Sequence, residues 1–217
     1  AAVALAQRLL PVADGSDFMG SLRNPAAWNN IFGMRPSQGR VPFWPASDVW
    51  VSQLGTEGPM ARSVADLTHL LAIQAGHDAR VPLSISERFD APVFDGSTSA
   101  LKGLRIGWLG DLGGHLALES GIAALCEQAL LRCQSEGAQV EALKPGFDAN
   151  AVWQAWLVWR RALVAPRIAP LLQRDAAARE HIKPEALWEH DQAQGTNVMN
   201  LMRASEARST FLQQLLA

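Results

Sequence analysis

The chain has 217 residues, of which 48% are hydrophobic and 18% charged, and its formal net charge at pH 7 is -2. This composition is typical of a soluble globular protein without the basic surface that binds a nucleic-acid backbone, so we expect no nucleic-acid partner. Arginines interrupt the longest apolar runs before the ~20 residues of a membrane span, and the start lacks a signal peptide, so we expect no membrane span and a cytoplasmic location.

The first part of the chain predicts short elements around a polar loop. Residues 1–9 have the pattern of a helix end, and "PVADG" has that of a short strand entering a loop. In "NPAAWNNIFG", Asn24 is the expected N-cap and Pro25 the first helical residue, with the helix ending near Gly33. Residues 34–60 are rich in Pro, Gly and Trp, which predicts a long irregular connection.

A capping box marks the start of the next helix. In "ARSVADLTHLLAIQAG", Ser63 precedes Asp66 by three residues, apolar residues follow at helical spacing, and Gly76 provides the stop. The residues beyond it are polar and rich in turn formers, so we predict a connecting loop over residues 86–103.

The second half predicts a strand, a helix and another strand, carried by "LRIGWL", "ESGIAALCEQALLRCQSEG" and "AQVEAL". Because parallel strands need such a crossover, we predict an α/β fold with at least one βαβ unit, followed from about residue 148 by helices. Cys126 and Cys133 lie seven residues apart on one helix, too far for a mutual disulfide, and are expected to be small buried hydrophobic residues.

Several familiar catalytic signatures are absent from the sequence. It contains no G-x-S-x-G, no P-loop and no H-E-x-x-H, and the glycines of "GWLGDLGG" do not have dinucleotide-binding spacing. The five histidines show no metal-ligand spacing. We therefore expect no metal and no organic cofactor.

The stretch "GSDFMGSLRNPA", residues 15–26, has more small and polar residues than an ordinary turn needs. Ser21 stands just before the expected helix, where free N–H groups favour developing negative charge. The loop from Asp17 to Ser21 can present successive N–H groups as an anion nest, which is what an acyl-transfer oxyanion needs. A serine nucleophile also needs a base, and no histidine is near in sequence. A structural loop with a solvated serine is the alternative.

This stretch resembles the amidase signature family. "GSDFMGSLRNPAAWNNIFGMRPSQGRVP" is similar to the family's G-[ST]-D-x-G-G-S-[IL]-R-x-P-A block and the G-[LF]-[KR]-P-[ST]-x-G-R-V segment after it, and "LGTEGPMARSVADLTHLL" to its G-P-[ML]-[AT]-R-[ST]-V-x-D helix. The likeness is strong over residues 1 to about 85 and weaker beyond. It implies a mixed β-sheet flanked by helices, and hydrolysis of carboxylic amides by a Ser, cis-Ser, Lys triad.

The resemblance also implies roles for residues of the loop. Ser21 matches the acylated nucleophile. The backbone N–H groups that match the oxyanion hole belong to Phe18, Met19, Gly20 and Ser21. The residues that match the polar brace of the loop are Ser16, Asp17 and Arg23, with Asp17 and Arg23 as a charge-assisted pair.

Two departures from the family pattern bear on activity. Met19 stands where the family has a second glycine, so either its φ is negative or a strain of ~1–2 kcal/mol is tolerated, and its side chain should limit the acyl group. The lysine and cis-serine, which in the family lie ahead of the helix that "AAVALAQRLL" resembles, cannot be matched, and the first lysine is Lys102. We therefore expect a fragment that is inactive alone.

Together these observations predict that residues 1–217 are part of a single amidase domain with an incomplete α/β fold. Residues 1–85 are the expected nucleophile and oxyanion segment, and residues 104–217 the βαβ unit with a helical remainder. The expected parent is an amidase that cleaves a carboxamide to an acid and ammonia or an amine. The alternatives are the amidase-like subunit of a tRNA-dependent amidotransferase and a non-catalytic truncated homologue.

Tryptophans are the candidate walls of a substrate pocket. Together with Met19, the side chains of Trp44, Trp50 and Trp156 favour an apolar or aryl acyl group. Core packing is the alternative for the helix that carries Trp156. The expected partners are a small-molecule amide substrate and a second copy of the chain in a homodimer.

Overall fold

Short strands and helices alternate through residues 1–51, 54–94 and 99–217, which the computed structural model describes. The chain divides into two units, Ala1–Gly96 and Ser97–Ala217. Both units combine strands with helices, so the predicted α/β class is confirmed. No helix among the described residues is long and apolar enough to cross a membrane.

An antiparallel sheet organises the first unit. The elements of this unit are α1 (Ala2–Ala6), β1 (Val12–Asp17), α2 (Arg23–Trp28), β2 (Phe32–Gly33), β3 (Thr56–Ala61) and α3 (Val64–Gln74). The strands lie in the order β1, β3, β2, and both outer strands run antiparallel to β3. This register places Asp17, the last residue of β1, opposite Thr56, the first residue of β3.

Helix α2 begins earlier than the sequence predicts. Leu22 is the N-cap residue and Arg23 the first helical residue, so the prediction of Asn24 as N-cap is wrong, and the helix is shorter than expected. The physical reason is the carboxylate of Asp17, which accepts the N–H groups of Leu22 and Arg23 from five and six residues upstream. Because the capping group comes from a residue five to six positions upstream, the residue at the N-cap position need not be a typical capping residue.

Strand β3 replaces the end of the irregular connection predicted over residues 34–60. The sequence does not predict this strand, because Gly58 and Pro59 have weak strand propensity. Pro59 donates no hydrogen bond, but its carbonyl accepts the N–H of Met34 at 3.1 Å. Gly58 allows the segments around residues 58 and 34 to approach closely, because a Cβ at position 58 would lie 2.3 Å from the Met34 carbonyl oxygen.

The start of helix α3 is as predicted. The Ser63 hydroxyl accepts the N–H of Asp66 at 3.1 Å, which confirms Ser63 as the N-cap. The Asp66 carboxylate accepts from the Ser63 hydroxyl at 2.7 Å rather than from the Ser63 backbone N–H that a capping box uses. The helix ends at Gln74, just before Gly76.

The second unit contains the predicted βαβ arrangement. Its elements are β4 (Arg105–Trp108), α4 (Ile122–Ser135), β5 (Gln139–Ala142), α5 (Ala149–Arg174), α6 (Pro184–Ala193) and α7 (Val198–Leu216). Strands β4 and β5 pair in parallel, and α5 packs against α6 and α7, so the strand order and the helical remainder are confirmed. Cys126 and Cys133 on α4 are free thiols, half-buried rather than buried.

Leu22 anchors the polar loop to the sheet of the first unit. Its side chain is fully buried and belongs to one cluster with Met60. Two glycines make room for it, since a Cβ added at Gly15 would lie 3.2 Å from Leu22 Cδ2, and one at Gly58 would lie 3.0 Å from Cδ1. The residue that follows Ser21 is thereby fixed against β1 and β3.

Replacement of Leu22 by alanine should lower the free energy of unfolding by about 2–5 kcal/mol, because it leaves a cavity under the loop. Chemical denaturation measures the change. Leu9, whose side chain is 74% exposed, is the matched control, and Leu9→Ala should change the free energy by no more than about 0.5 kcal/mol. Equal losses in the two variants would contradict this packing account.

Candidate active site

A tight turn over residues 18–22 joins β1 to α2, and Ser21 lies two residues before the start of the helix. Gly20 is the turn's left-handed residue, with φ of 101°, and a Cβ there would lie 2.6 Å from the Asn24 side chain. Among the described residues, the non-glycine positions with positive φ do not include Met19. Met19 is therefore accommodated without left-handed strain, because Gly20 alone meets that requirement of the turn.

The carboxylate of Asp17 is the centre of the turn. It is fully buried and accepts the N–H groups of Gly20 at 2.9 Å, Leu22 at 3.3 Å and Arg23 at 3.3 Å. The Arg23 guanidinium donates to both carboxylate oxygens, from Nε at 2.9 Å and Nη2 at 3.0 Å. Burial by itself would raise the pKa of Asp17, but the hydrogen bonds from Arg23 and from the backbone hold that pKa well below its usual range.

Arg35 is a second cation at this carboxylate that the sequence reasoning did not single out. Its Nε lies 3.8 Å from Asp17 Oδ1 and 3.5 Å from the Asp17 carbonyl oxygen, to which it donates. Its Nη2 donates to the carbonyl of Leu54 at 2.6 Å. Arg35 therefore ties the end of β1 to the chain that enters β3. The basic residue before Pro36, inside the quoted "GMRPSQGR" segment, was the available signal.

The structure changes the expected set of oxyanion donors. The N–H of Gly20 is directed at Asp17 and is not free for an oxyanion in this arrangement. The N–H of the N-cap residue Leu22 and that of Arg23, the first residue of α2, are likewise taken up by the Asp17 carboxylate. The N–H groups of Phe18, Met19 and Ser21 stay predicted oxyanion donors. Ser21 itself is exposed.

Ser16 lies in β1 directly before Asp17, whereas the three predicted tryptophans lie far from the turn in the sequence. Ser16 is an exposed residue of β1. Trp44 is half exposed, with the Arg80 guanidinium 5.4 Å from its ring centroid, and Trp50 is 62% exposed. Trp156 belongs to the second unit. The first unit contains no lysine, and no group of acidic, histidine or cysteine side chains that could hold a metal occurs among the described residues.

Asp17→Asn should destabilise the protein by on the order of 2 kcal/mol near pH 7. Because folding depresses this pKa, the stabilisation is present above the unfolded pKa of about 3.9 and is lost as the pH falls through the folded value. The difference between wild type and variant should therefore shrink below about pH 4. Urea unfolding at pH 7 and pH 3 measures it.

The control for that prediction is Asp90→Asn, because Asp90 forms an exposed pair with Arg88. Its removal should change stability little at either pH. A loss from Asp17→Asn that stays constant as the pH falls would show that the buried carboxylate is not the source of the acid sensitivity.

Known proteins share both the sequence and the fold of this chain. The amidase family model matches residues 1–210. A glutamyl-tRNA(Gln) amidotransferase subunit of Acinetobacter baylyi is 36% identical over 137 residues, 63% of this chain and 28% of that protein. An acylamidase of Rhodococcus erythropolis is 35% identical over 162 residues, 73% of this chain and 33% of that protein.

The fold comparison agrees with the sequence comparison. The crystal structure of a bacterial aryl acylamidase of the amidase signature family superposes on 99% of this chain and 45% of its own, with a TM-score of 0.86 and 26% identity. The chain thus spans about a third of the length of the two curated relatives and under half of the length of the aryl acylamidase. With the family model covering nearly its whole length, the chain belongs to the amidase family.

Proposed function

We propose that this chain carries the nucleophile of an amide hydrolase. A base takes the proton of the Ser21 hydroxyl as Oγ attacks the carboxamide carbon, and the carbonyl oxygen takes the negative charge. The C–N bond then breaks as the base gives that proton to the nitrogen, which leaves as ammonia or an amine. Water then attacks the acyl ester on Ser21 and releases the acid. The observation that carries the proposal is the exposed Ser21 between the left-handed Gly20 and the buried Leu22, on a turn fixed by Asp17.

The turn supports this role because its donors are held in place before substrate binds. The N–H groups of Phe18, Met19 and Ser21 are the proposed oxyanion donors, while Asp17 and Arg23 brace the backbone that presents them. Loss of one good oxyanion donor costs about 10² to 10³ in rate, so a change that displaces one of these N–H groups should slow the reaction. Ser16 is proposed to support the loop from β1.

The general base is proposed to come from outside residues 1–217. A lysine that acts as a base needs a pKa lowered from ~10.4 by burial, and no lysine precedes Ser21 in this sequence. The chain alone should therefore show no turnover. Measurable amide hydrolysis by the purified 217-residue chain would contradict the assignment of the base.

The amidase-like subunit of a tRNA-dependent amidotransferase is the second candidate function. The 36% identity to an amidotransferase subunit favours it, whereas the Trp-rich segment "PFWPASDVWVSQLGTEGP" resembles stand-alone amidases. Stable co-purification with a second polypeptide would favour the amidotransferase. The remaining alternative is a non-catalytic homologue, which would bind no active-site label.

We also propose a substrate class, pocket residues, a cellular location and an oligomeric state for the enzyme. We take the substrate to be a small amide with an apolar or aryl acyl group, with Met19, Trp44, Trp50 and Trp156 as candidate pocket residues. No cofactor and no nucleic acid are needed for the chemistry as written. A cytoplasmic homodimer remains our expectation.

A fluorophosphonate should label Ser21 in the full-length protein, because it captures a serine activated by a base. Intact-mass measurement followed by peptide mapping identifies the site. Ser21→Ala should abolish the adduct, and Ser37→Ala, which alters an exposed turn serine, should leave it intact. The isolated chain should stay unlabelled. Absence of an adduct from the full-length protein would rule out Ser21 as nucleophile.

Met19→Gly should widen the range of acyl groups that the full-length enzyme accepts, because it removes the side chain beside Ser21. We expect kcat/KM for a branched or aryl acyl amide to rise about tenfold relative to acetamide. Met19→Leu keeps the volume and should retain the wild-type ratio. An unchanged ratio in Met19→Gly would show that Met19 does not limit the acyl group.

A further inference from the structure

Arg35 lies at the end of the sheet where β1 ends and β3 begins. The residue before it, Met34, donates its N–H to the Pro59 carbonyl of β3 at 3.1 Å. The residue after it is Pro36, which restricts the backbone of Arg35 to extended conformations. Because the strands lie in the order β1, β3, β2, the side chain of Arg35 spans the start of β3 to reach Asp17 on β1. The chain that leaves one outer strand thereby contacts the last residue of the other.

The guanidinium of Arg35 binds two backbone carbonyls. Its Nη2 donates to the Leu54 carbonyl at 2.6 Å, and its Nε donates to the Asp17 carbonyl at 3.5 Å. The same Nε lies 3.8 Å from the Asp17 carboxylate, whose two oxygens already accept from the Arg23 guanidinium. The contact that distinguishes Arg35 from Arg23 is therefore the one to the main chain of Asp17.

The carbonyl of Asp17 and the N–H of Phe18 belong to one peptide unit. Peptide units are planar, and among the described residues the cis peptide bond is that between Trp44 and Pro45. The unit between Asp17 and Phe18 is therefore trans, and its C=O and N–H point in opposite directions. A donor bound to the Asp17 oxygen thus fixes the direction of the Phe18 N–H. It also polarises the peptide, which strengthens that N–H as a donor.

We propose that Arg35 is a positioning residue for the oxyanion, which it serves through the peptide between Asp17 and Phe18. Arg35 holds the carbonyl end of this peptide, and the N–H end is directed at the substrate oxygen. The inference rests on the proposed function, in which the Phe18 N–H is an oxyanion donor. It gives this donor a brace of its own, since the Asp17 carboxylate accepts the N–H groups of Gly20 and of the residues after Ser21.

The proposed role of Arg35 concerns the transition state rather than substrate binding. The amide oxygen gains its negative charge only as the carbonyl carbon is attacked, so a misdirected donor lowers kcat far more than it raises KM. A role of Arg35 in folding alone would have a different result. It would reduce the amount of active enzyme and leave the properties of each correctly folded molecule unchanged.

The test compares Arg35→Gln with wild type in the full-length protein, with benzamide as substrate and phenylboronic acid as inhibitor. The boron of this inhibitor bonds to a nucleophilic serine oxygen, and a boron-bound oxygen then takes the place of the oxyanion. Titration to completion with a fluorophosphonate counts the active sites, so that kcat refers to folded enzyme. We expect kcat to fall about tenfold or more and KM to change less than about threefold. The inhibition constant of phenylboronic acid should rise about as much as kcat falls.

Two further variants complete the test. Arg88→Gln is the matched control, because Arg88 is 86% exposed in its pair with Asp90, and it should leave all three constants unchanged. Arg35→Lys keeps the charge but replaces the two-armed guanidinium by one donor atom, so it should cause a smaller loss of the same kind. Where Arg35→Gln fails to fold, Arg35→Lys decides the question.

The outcomes separate this inference from the function on which it rests. A wild-type inhibition constant for phenylboronic acid in a folded Arg35 variant would overturn the role of Arg35 and leave Ser21 as the proposed nucleophile. Wild-type protein in which the fluorophosphonate does not label Ser21 would overturn both. A loss of kcat and of inhibitor affinity in the Arg35 variants, with Ser21 labelled in wild type, is the result that we expect.

Discussion

The buried carboxylate of Asp17 is the constraint on which the candidate site depends. Removal of an ionised carboxylate from water is costly, so a buried carboxylate stays ionised only where hydrogen bonds and a positive charge replace the lost hydration. At Asp17 the N–H groups of Gly20 and Leu22 supply hydrogen bonds, and Arg23 supplies the positive charge. The same bonds that satisfy the charge fix the turn, so the electrostatic requirement of one residue determines where Ser21 lies.

Apolar packing fixes the same turn from its other side. Asp17 holds the turn from its polar side, and Leu22 holds it from the apolar side in the space left by Gly15 and Gly58. Ser21 lies in the sequence between the residues that these two anchors hold. Under the proposal that Ser21 is the nucleophile, this support keeps the reorganisation of the site small as charge develops on the substrate.

The sequence predicted those features whose cause is local. Ser63 and Asp66 stand three residues apart, so their cap is visible as a pattern, and the crossover between β4 and β5 follows from strand, helix and strand in succession. The missed features depend on residues that meet only after folding. The cap of α2 comes from Asp17, and the central strand around Pro59 is sustained by neighbours on both sides rather than by its own propensity.

Two carboxylates are buried among the described residues, and they differ in how far their oxygens are hydrogen-bonded. Asp17 and Glu189 are both almost inaccessible and both pair with arginine. Both oxygens of Asp17 are engaged, so the group has nothing left to offer a ligand and serves to hold the turn rigid. Within the part of the chain that the structure describes, Glu189 Oε2 has no hydrogen-bond partner. An ion pair with arginine therefore accompanies full hydrogen bonding of the carboxylate in the first unit and incomplete hydrogen bonding in the second.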